Sequence, residues 1–78
     1  MITELCNIAN GNTVEVSKLK NSPLKVKLME MGFSSGKSIK VLFRAPLGDP
    51  MAVDIEGYVL SLRKSEAAQI MVKTTDEL

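Results

Sequence analysis

The sequence predicts a mainly β fold: a small barrel-like sheet of about five short strands, with one α-helix inserted after the first strand and a short helical turn before the last. Three observations point there. Apolar residues alternate with period two over separate short stretches, turn-forming residues interrupt those stretches, and one segment carries helical spacing with start and stop signals. The chain has 78 residues, 45% of them apolar and 24% charged, with a net charge of +1. That length and balance fit a single small domain over 1–78 with one modest core.

The elements follow in order. Asn10, Gly11 and Asn12 form a turn signal, and Thr13 to Ser17 then alternates with Val14 and Val16 on one face. Lys18, Leu19, Lys20 and Asn21 read as a polar loop. The next segment predicts a helix over 23–31. Ser22 caps it, Pro23 takes the first helical position where its missing N–H costs nothing, and Leu24, Leu28 and Met31 fall on one face. Gly32 supplies the left-handed residue that ends the helix, and Phe33 packs back on Leu28.

After a turn at Ser34, Ser35 and Gly36, a second strand over 38–44 places Ile39, Val41 and Phe43 on one face and Lys40, Leu42 and Arg44 on the other. Pro46, Gly48 and Pro50 make 45–50 a loop. Met51, Val53 and Ile55 resume an inward face, with Asp54 and Glu56 outward. The parity of the apolar residues then changes to Tyr58, Leu60 and Leu62, which a two-residue hairpin at Glu56 and Gly57 explains. Ser65 starts a short turn, Ile70 and Val72 form the last strand, and residues 74–78 read as a fraying tail.

The same composition excludes several chemistries. One cysteine, Cys6, cannot form an internal disulfide, and without histidine there is no Ser-His or Cys-His pair. No apolar run approaches the ~20 residues of a membrane helix, and no signal peptide is visible, so a cytoplasmic protein without direct membrane insertion is expected. No catalytic residue, cofactor or metal ligand is expected. Cys6 reads as a small buried residue. Asp49, Asp54 and Glu56 lack the spacing of a calcium loop. Lys18, Lys20, Lys25 and Lys27 form a run without intervening acids, which reads as a solvated face. With two arginines and few aromatics there is no stacking platform, so nucleic acid is not an expected partner.

The chain instead offers a binding surface. Its first part is the loop of Arg44, Ala45, Pro46, Leu47, Gly48 and Asp49: proline stiffens it, Leu47 has no core to enter, and Arg44 can grip a carboxylate. Its second part is Val26 and Met29, which lie off the core stripe of the helix. These two suit adaptable contact or simply widen the core-facing side, and spacing favours the wider core face.

In its ordered motifs the sequence resembles the FeoA family, the small ferrous iron transport protein A. The motifs are Leu5-x-x-Ile8-x-x-Gly11, then Leu28-Met29-Glu30-Met31-Gly32-Phe33-x-x-Gly36. They continue with Arg44-Ala45-Pro46-Leu47-Gly48-Asp49-Pro50, Gly57-Tyr58-x-Leu60-x-Leu62-Arg63 and Glu66-Ala67. The resemblance implies an SH3-like β-barrel and a partner, the membrane Fe(II) transporter with a cytoplasmic GTPase domain. The chain would then sit at the inner face of the membrane through that transporter, as an interaction or regulatory module with at most weak self-association. The competing expectations are a transition-metal-binding SH3-like domain, related to the C-terminal domain of metal-dependent repressors, and an unrelated SH3-like module for peptide or nucleic acid.

Overall fold

In the computed structural model, which describes residues 1–74, six antiparallel strands form one curled sheet in the order β1-β6-β2-β3-β4-β5. The strands are β1 (Ile2–Glu4), β2 (Thr13–Leu19), β3 (Ser38–Arg44), β4 (Met51–Ile55), β5 (Tyr58–Leu62) and β6 (Ile70–Thr74). Two short helices, α1 (Lys25–Glu30) and α2 (Lys64–Ala67), and a 3-10 turn over Leu5–Asn7 complete the described chain. The fold class agrees with the expectation. The strand count does not: β1, three residues long, pairs with β6 through Ile2↔Lys73, Thr3↔Val72 and Glu4↔Met71. Such a short piece carries no alternation for a sequence reading to detect. β6 reaches Thr74, whose N–H donates to the Met1 carbonyl at 3.1 Å, so Thr74 belongs to the sheet. The rest of the expected tail, 75–78, lies outside the described residues.

Fully buried side chains from every layer meet in one cluster: Val14 and Val16, Leu28 and Phe33, Ile39 and Val41, Val53, Leu62, and Ile70 and Val72. The helix between β2 and β3 adds Leu28 to this cluster, with Leu24 and Met31 packed against it. Its regular part begins at Lys25, two residues after the predicted start, because Pro23 and Leu24 form a turn. The Leu24 N–H donates to Ser22 Oγ at 3.2 Å within that turn. The end is as expected. Gly32, at φ 105°, lets its own N–H reach the Met29 carbonyl and the Phe33 N–H reach the Leu28 carbonyl, at 3.0 and 3.1 Å. This closure drops Phe33 into the core with no exposed surface.

The β4–β5 hairpin has the two-residue turn that the parity change required. Glu56 and Gly57 both have positive φ, 49° and 105°, and Ile55 faces Tyr58. The Gly57 N–H donates to Asp54 Oδ1 at 2.8 Å. Glu56 tolerates its left-handed backbone while its carboxylate accepts the Ser38 N–H at 3.1 Å. Tyr58 is not part of the core, however. It stands beside the turn of the hairpin and is 74% exposed, whereas Leu62 at the far end is fully buried.

Two β-bulges correct the predicted faces. In β3 the register moves from Val41↔Val53 to Phe43↔Ala52, leaving Leu42 as the extra residue. Alternation would have put Phe43 inside and Arg44 outside; the bulge reverses both. In β2 the register moves from Val16↔Val72 to Lys18↔Met71, leaving Ser17 extra. Lys18 therefore points outward and Leu19 packs against the core, in a strand rather than in the predicted loop. The Ser17 carbonyl, freed by the bulge, accepts from Ser35 Oγ at 3.1 Å.

A domain of this size has a total stability of roughly 4–12 kcal/mol. Truncating Phe33 to alanine should cost about 3–5 kcal/mol. Urea unfolding of Phe33→Ala is expected to show a marginal or unfolded protein, with Val26→Ala on the exposed face of α1 within about 0.5 kcal/mol of the parent.

Candidate partner-binding surface

The loop between β3 and β4 is held from both ends and from below. The Ala45 N–H donates to the Pro50 carbonyl at 3.0 Å, and the Gly48 N–H turns back to the Ala45 carbonyl at 2.7 Å. Asp49 Oδ1 accepts the Lys64 backbone N–H at 2.9 Å, fixing the loop to the start of α2. That start is itself locked, because the Arg63 N–H donates to Glu66 Oε1 at 2.9 Å. Pro46 and Leu47 form the tip. Leu47 is 97% exposed, so an apolar side chain stands in solvent on a braced support.

Arg44 is engaged within this chain. Its guanidinium donates to the Ile8 carbonyl at 2.7 Å, the Cys6 carbonyl at 3.1 Å and Asn10 Oδ1 at 2.6 Å. One fork thus satisfies three acceptors along the segment between β1 and β2. Asn10 read as a turn residue; it is also the side-chain partner of Arg44. The bulge that turns Arg44 inward turns Phe43 outward, 61% exposed at the base of the loop. Phe43 shares its outer face with Ala52 and Ser61, its neighbours across the sheet.

On α1, Val26 is 65% and Met29 53% exposed. The wide core-facing side that spacing favoured is therefore not what forms. Only Leu28 is fully buried in the helix, while Leu24 and Met31 pack partly against the core. Both predicted parts of the surface touch α2: the loop through Asp49 and Lys64, and α1 through Lys27 Nζ and Glu66 Oε2 at 3.4 Å. Sequence reasoning missed Phe43, Tyr58 and Val59, which are exposed apolar residues on β3 and β5. The phenylalanine and the tyrosine followed the same alternation as core residues, and nothing local marks them.

Cys6 is partly exposed rather than buried. Burial first, and then the hydrogen bond from Sγ to Glu4 Oε1 at 3.4 Å, push its thiol above the ordinary value. Glu4 moves the other way, held below the usual carboxylate range chiefly by the hydrogen bond from Lys20. Asp49, Asp54 and Glu56 are each engaged by a backbone N–H of this chain. Among the described residues no three His, Cys, Asp or Glu side chains converge on a point where a metal would sit. No described helix is long and apolar enough to cross a membrane.

Two outcomes follow. Arg44→Lys keeps the charge but loses the fork, and should lower stability by about 1–2 kcal/mol, with faster amide exchange over residues 5–12. An unchanged denaturation midpoint would remove this role. Cys6 should alkylate at neutral pH more slowly than a cysteine in an unstructured peptide. Glu4→Gln should restore part of that rate and not all, since burial is the larger cause.

The FeoA domain profile matches residues 3–74. A curated relative, the Fe(2+) transport protein A/Fe(2+) transporter FeoB fusion protein of Porphyromonas gingivalis, is 47% identical over 47 residues. That match covers 60% of this chain and 6% of the fusion protein. The NMR structure of a FeoA-like protein from Clostridium acetobutylicum superposes with a TM-score of 0.92 at 37% identity, covering 99% of this chain and 91% of the other. The zinc complex of Stenotrophomonas maltophilia FeoA, described as a procaryotic SH3 domain protein, gives a TM-score of 0.81 at 24% identity and covers 91% and 89% of the two chains. That second likeness speaks for the fold, which is SH3-like. With the profile spanning nearly all described residues, the chain belongs to the FeoA family and is a non-enzymatic domain.

Proposed function

We propose that this chain is an accessory module of ferrous iron uptake that docks on the cytoplasmic GTPase region of a FeoB-type transporter. The fusion of a transport protein A with FeoB in one Porphyromonas gingivalis polypeptide supports the choice of partner. Two proteins that are useful only together are well served by one chain, because a linker raises their effective concentration. The module would work at the inner face of the membrane, held there by the transporter.

The observation that carries the choice of surface is Leu47, 97% exposed at the tip of a loop tied down by three hydrogen bonds. Burying a leucine completely is worth about 1.5–3 kcal/mol, and a loop already ordered gives little of that back as lost freedom. Ala45, Gly48 and Asp49 shape the loop, and Phe43 extends its apolar base. Val26 and Met29 on α1 supply a second contact across α2. Arg44 contributes by holding the scaffold rather than by touching the partner.

Capture from a membrane extract tests this reading. Wild-type protein should retain the transporter, and Leu47→Asp should weaken retention about tenfold or more while keeping a native fold. Failure of the wild type to retain it would sink the choice of partner. Equal retention by both would remove the loop from the contact.

A further inference from the structure

The four-lysine run of the sequence divides into two pairs in space. Lys20 is neutralised by Glu4 and Lys27 by Glu66. Among the described residues Lys18 and Lys25 have no acid paired with them, and both line one shallow groove of about 220 Å³ between β2 and α1. The floor is apolar, from Leu19 and Met29 over the buried Phe33, and Ser34 and Ser35 close one side. The bulge at Ser17 makes the groove: without the extra residue Lys18 would point into the core and Leu19 away from it.

The composition of the lining decides what fits. A larger groove of about 410 Å³ runs past Glu30, Lys37, Glu56 and Tyr58, but its lysine is already paired with Glu56 at 3.5 Å. The rest of its charge is the Glu30 carboxylate, so the lining is net acidic and offers nothing to an acidic segment. Among the described residues the smaller groove presents an apolar floor between two unpaired cations and no carboxylate. Nucleic acid would want exposed rings to stack on, and Phe33 has no exposed surface.

We infer that this groove receives an apolar protein segment bordered by carboxylates, contributed by the partner. Leucine-sized side chains would cover Met29 and Leu19 while Glu or Asp residues on the flanks meet Lys18 and Lys25. The inference rests on the docking role proposed above and gives the second contact, around Met29, its chemistry. Met29 suits such a site because an unbranched thioether adapts to an irregular apolar surface.

The probe is a synthetic amphipathic helix-forming peptide with a leucine stripe bordered by glutamates, and the same peptide with lysines in their place. Each is titrated into the ¹⁵N-labelled protein up to about 1 mM, the weak end of specific affinity. The glutamate peptide should shift the amides of Lys18, Leu19, Lys25 and Met29, and the lysine peptide should not. The double variant Lys18→Glu/Lys25→Glu should bind the glutamate peptide about tenfold more weakly and accept the lysine peptide instead. These lysines are peripheral, so the variant keeps its fold, and its amide spectrum verifies that.

No shift with either peptide, equal shifts with both, or shifts confined to the 45–50 loop would overturn the inference. So would binding to phosphatidylglycerol vesicles that the double variant abolishes while the glutamate peptide leaves the groove untouched, since the cations would then serve a lipid surface. The docking role fails separately. If the double variant captures the transporter as well as wild type, only the groove is wrong; if the wild type captures none, the partner is wrong and the peptide titration still judges the groove.

Discussion

The extra residue at Leu42 decides which way the loop end of the β3–β4 hairpin faces. Side chains on a strand alternate, so one inserted residue reverses everything beyond it. Here the reversal takes Arg44 inward, where its guanidinium spans the carbonyls of Cys6 and Ile8 and the amide oxygen of Asn10. It takes Phe43 outward, to the base of the loop. The link between the first strand and the second is thereby pinned to the hairpin that carries Leu47. A net gain of about 1 kcal/mol per hydrogen bond is modest. The larger effect is positional, because three bonds from one planar group leave that segment few other arrangements.

The bulge at Ser17 repeats the device in β2, where it pairs with β6. It turns Lys18 out and Leu19 in, and Ser35 Oγ satisfies the carbonyl it exposes. The consequences parallel those in β3: a residue that regular pairing would bury becomes surface, beside an apolar neighbour. Both bulges thus serve the surface, while the core is assembled by the regular parts of the strands and by the Gly32 closure that seats Phe33. A scaffold this stiff, with an apolar tip and a grooved helix, suits an adaptor that recognises its partner with little rearrangement.

How much of this the sequence disclosed depends on whether a feature is local. The capped helix end at Gly32, the hairpin at Glu56 and Gly57, and the exposed Leu47 were legible, because each rests on residues within a few positions of one another. The bulges were not. Placing an extra residue requires knowing the partner strand, and β2 meets β6 some fifty positions along the chain. The residues next to them were therefore misread: the inward Phe43, the outward Arg44 and the loop over Lys18 to Asn21. The three-residue β1 escaped for a similar reason, since it is a strand only because β6 lies beside it. Of the surface residues, Val26 and Met29 were named, though spacing favoured burying them. The division of the lysines into paired and unpaired was invisible, because Glu4 and Glu66 reach Lys20 and Lys27 only in the folded chain.

The central claim is that one braced face, from Leu47 across α2 to α1, is where the partner sits. The most direct measurement is a titration of the ¹⁵N-labelled chain with the purified cytoplasmic region of a FeoB-type transporter, followed amide by amide. The account predicts that the residues which shift or broaden first form one connected patch over 45–49, α2 and the Val26–Met29 side of α1. The outer edge of β1 and its neighbour Lys73 should stay unmoved. A patch centred on β1 and β6 with the loop silent would contradict it.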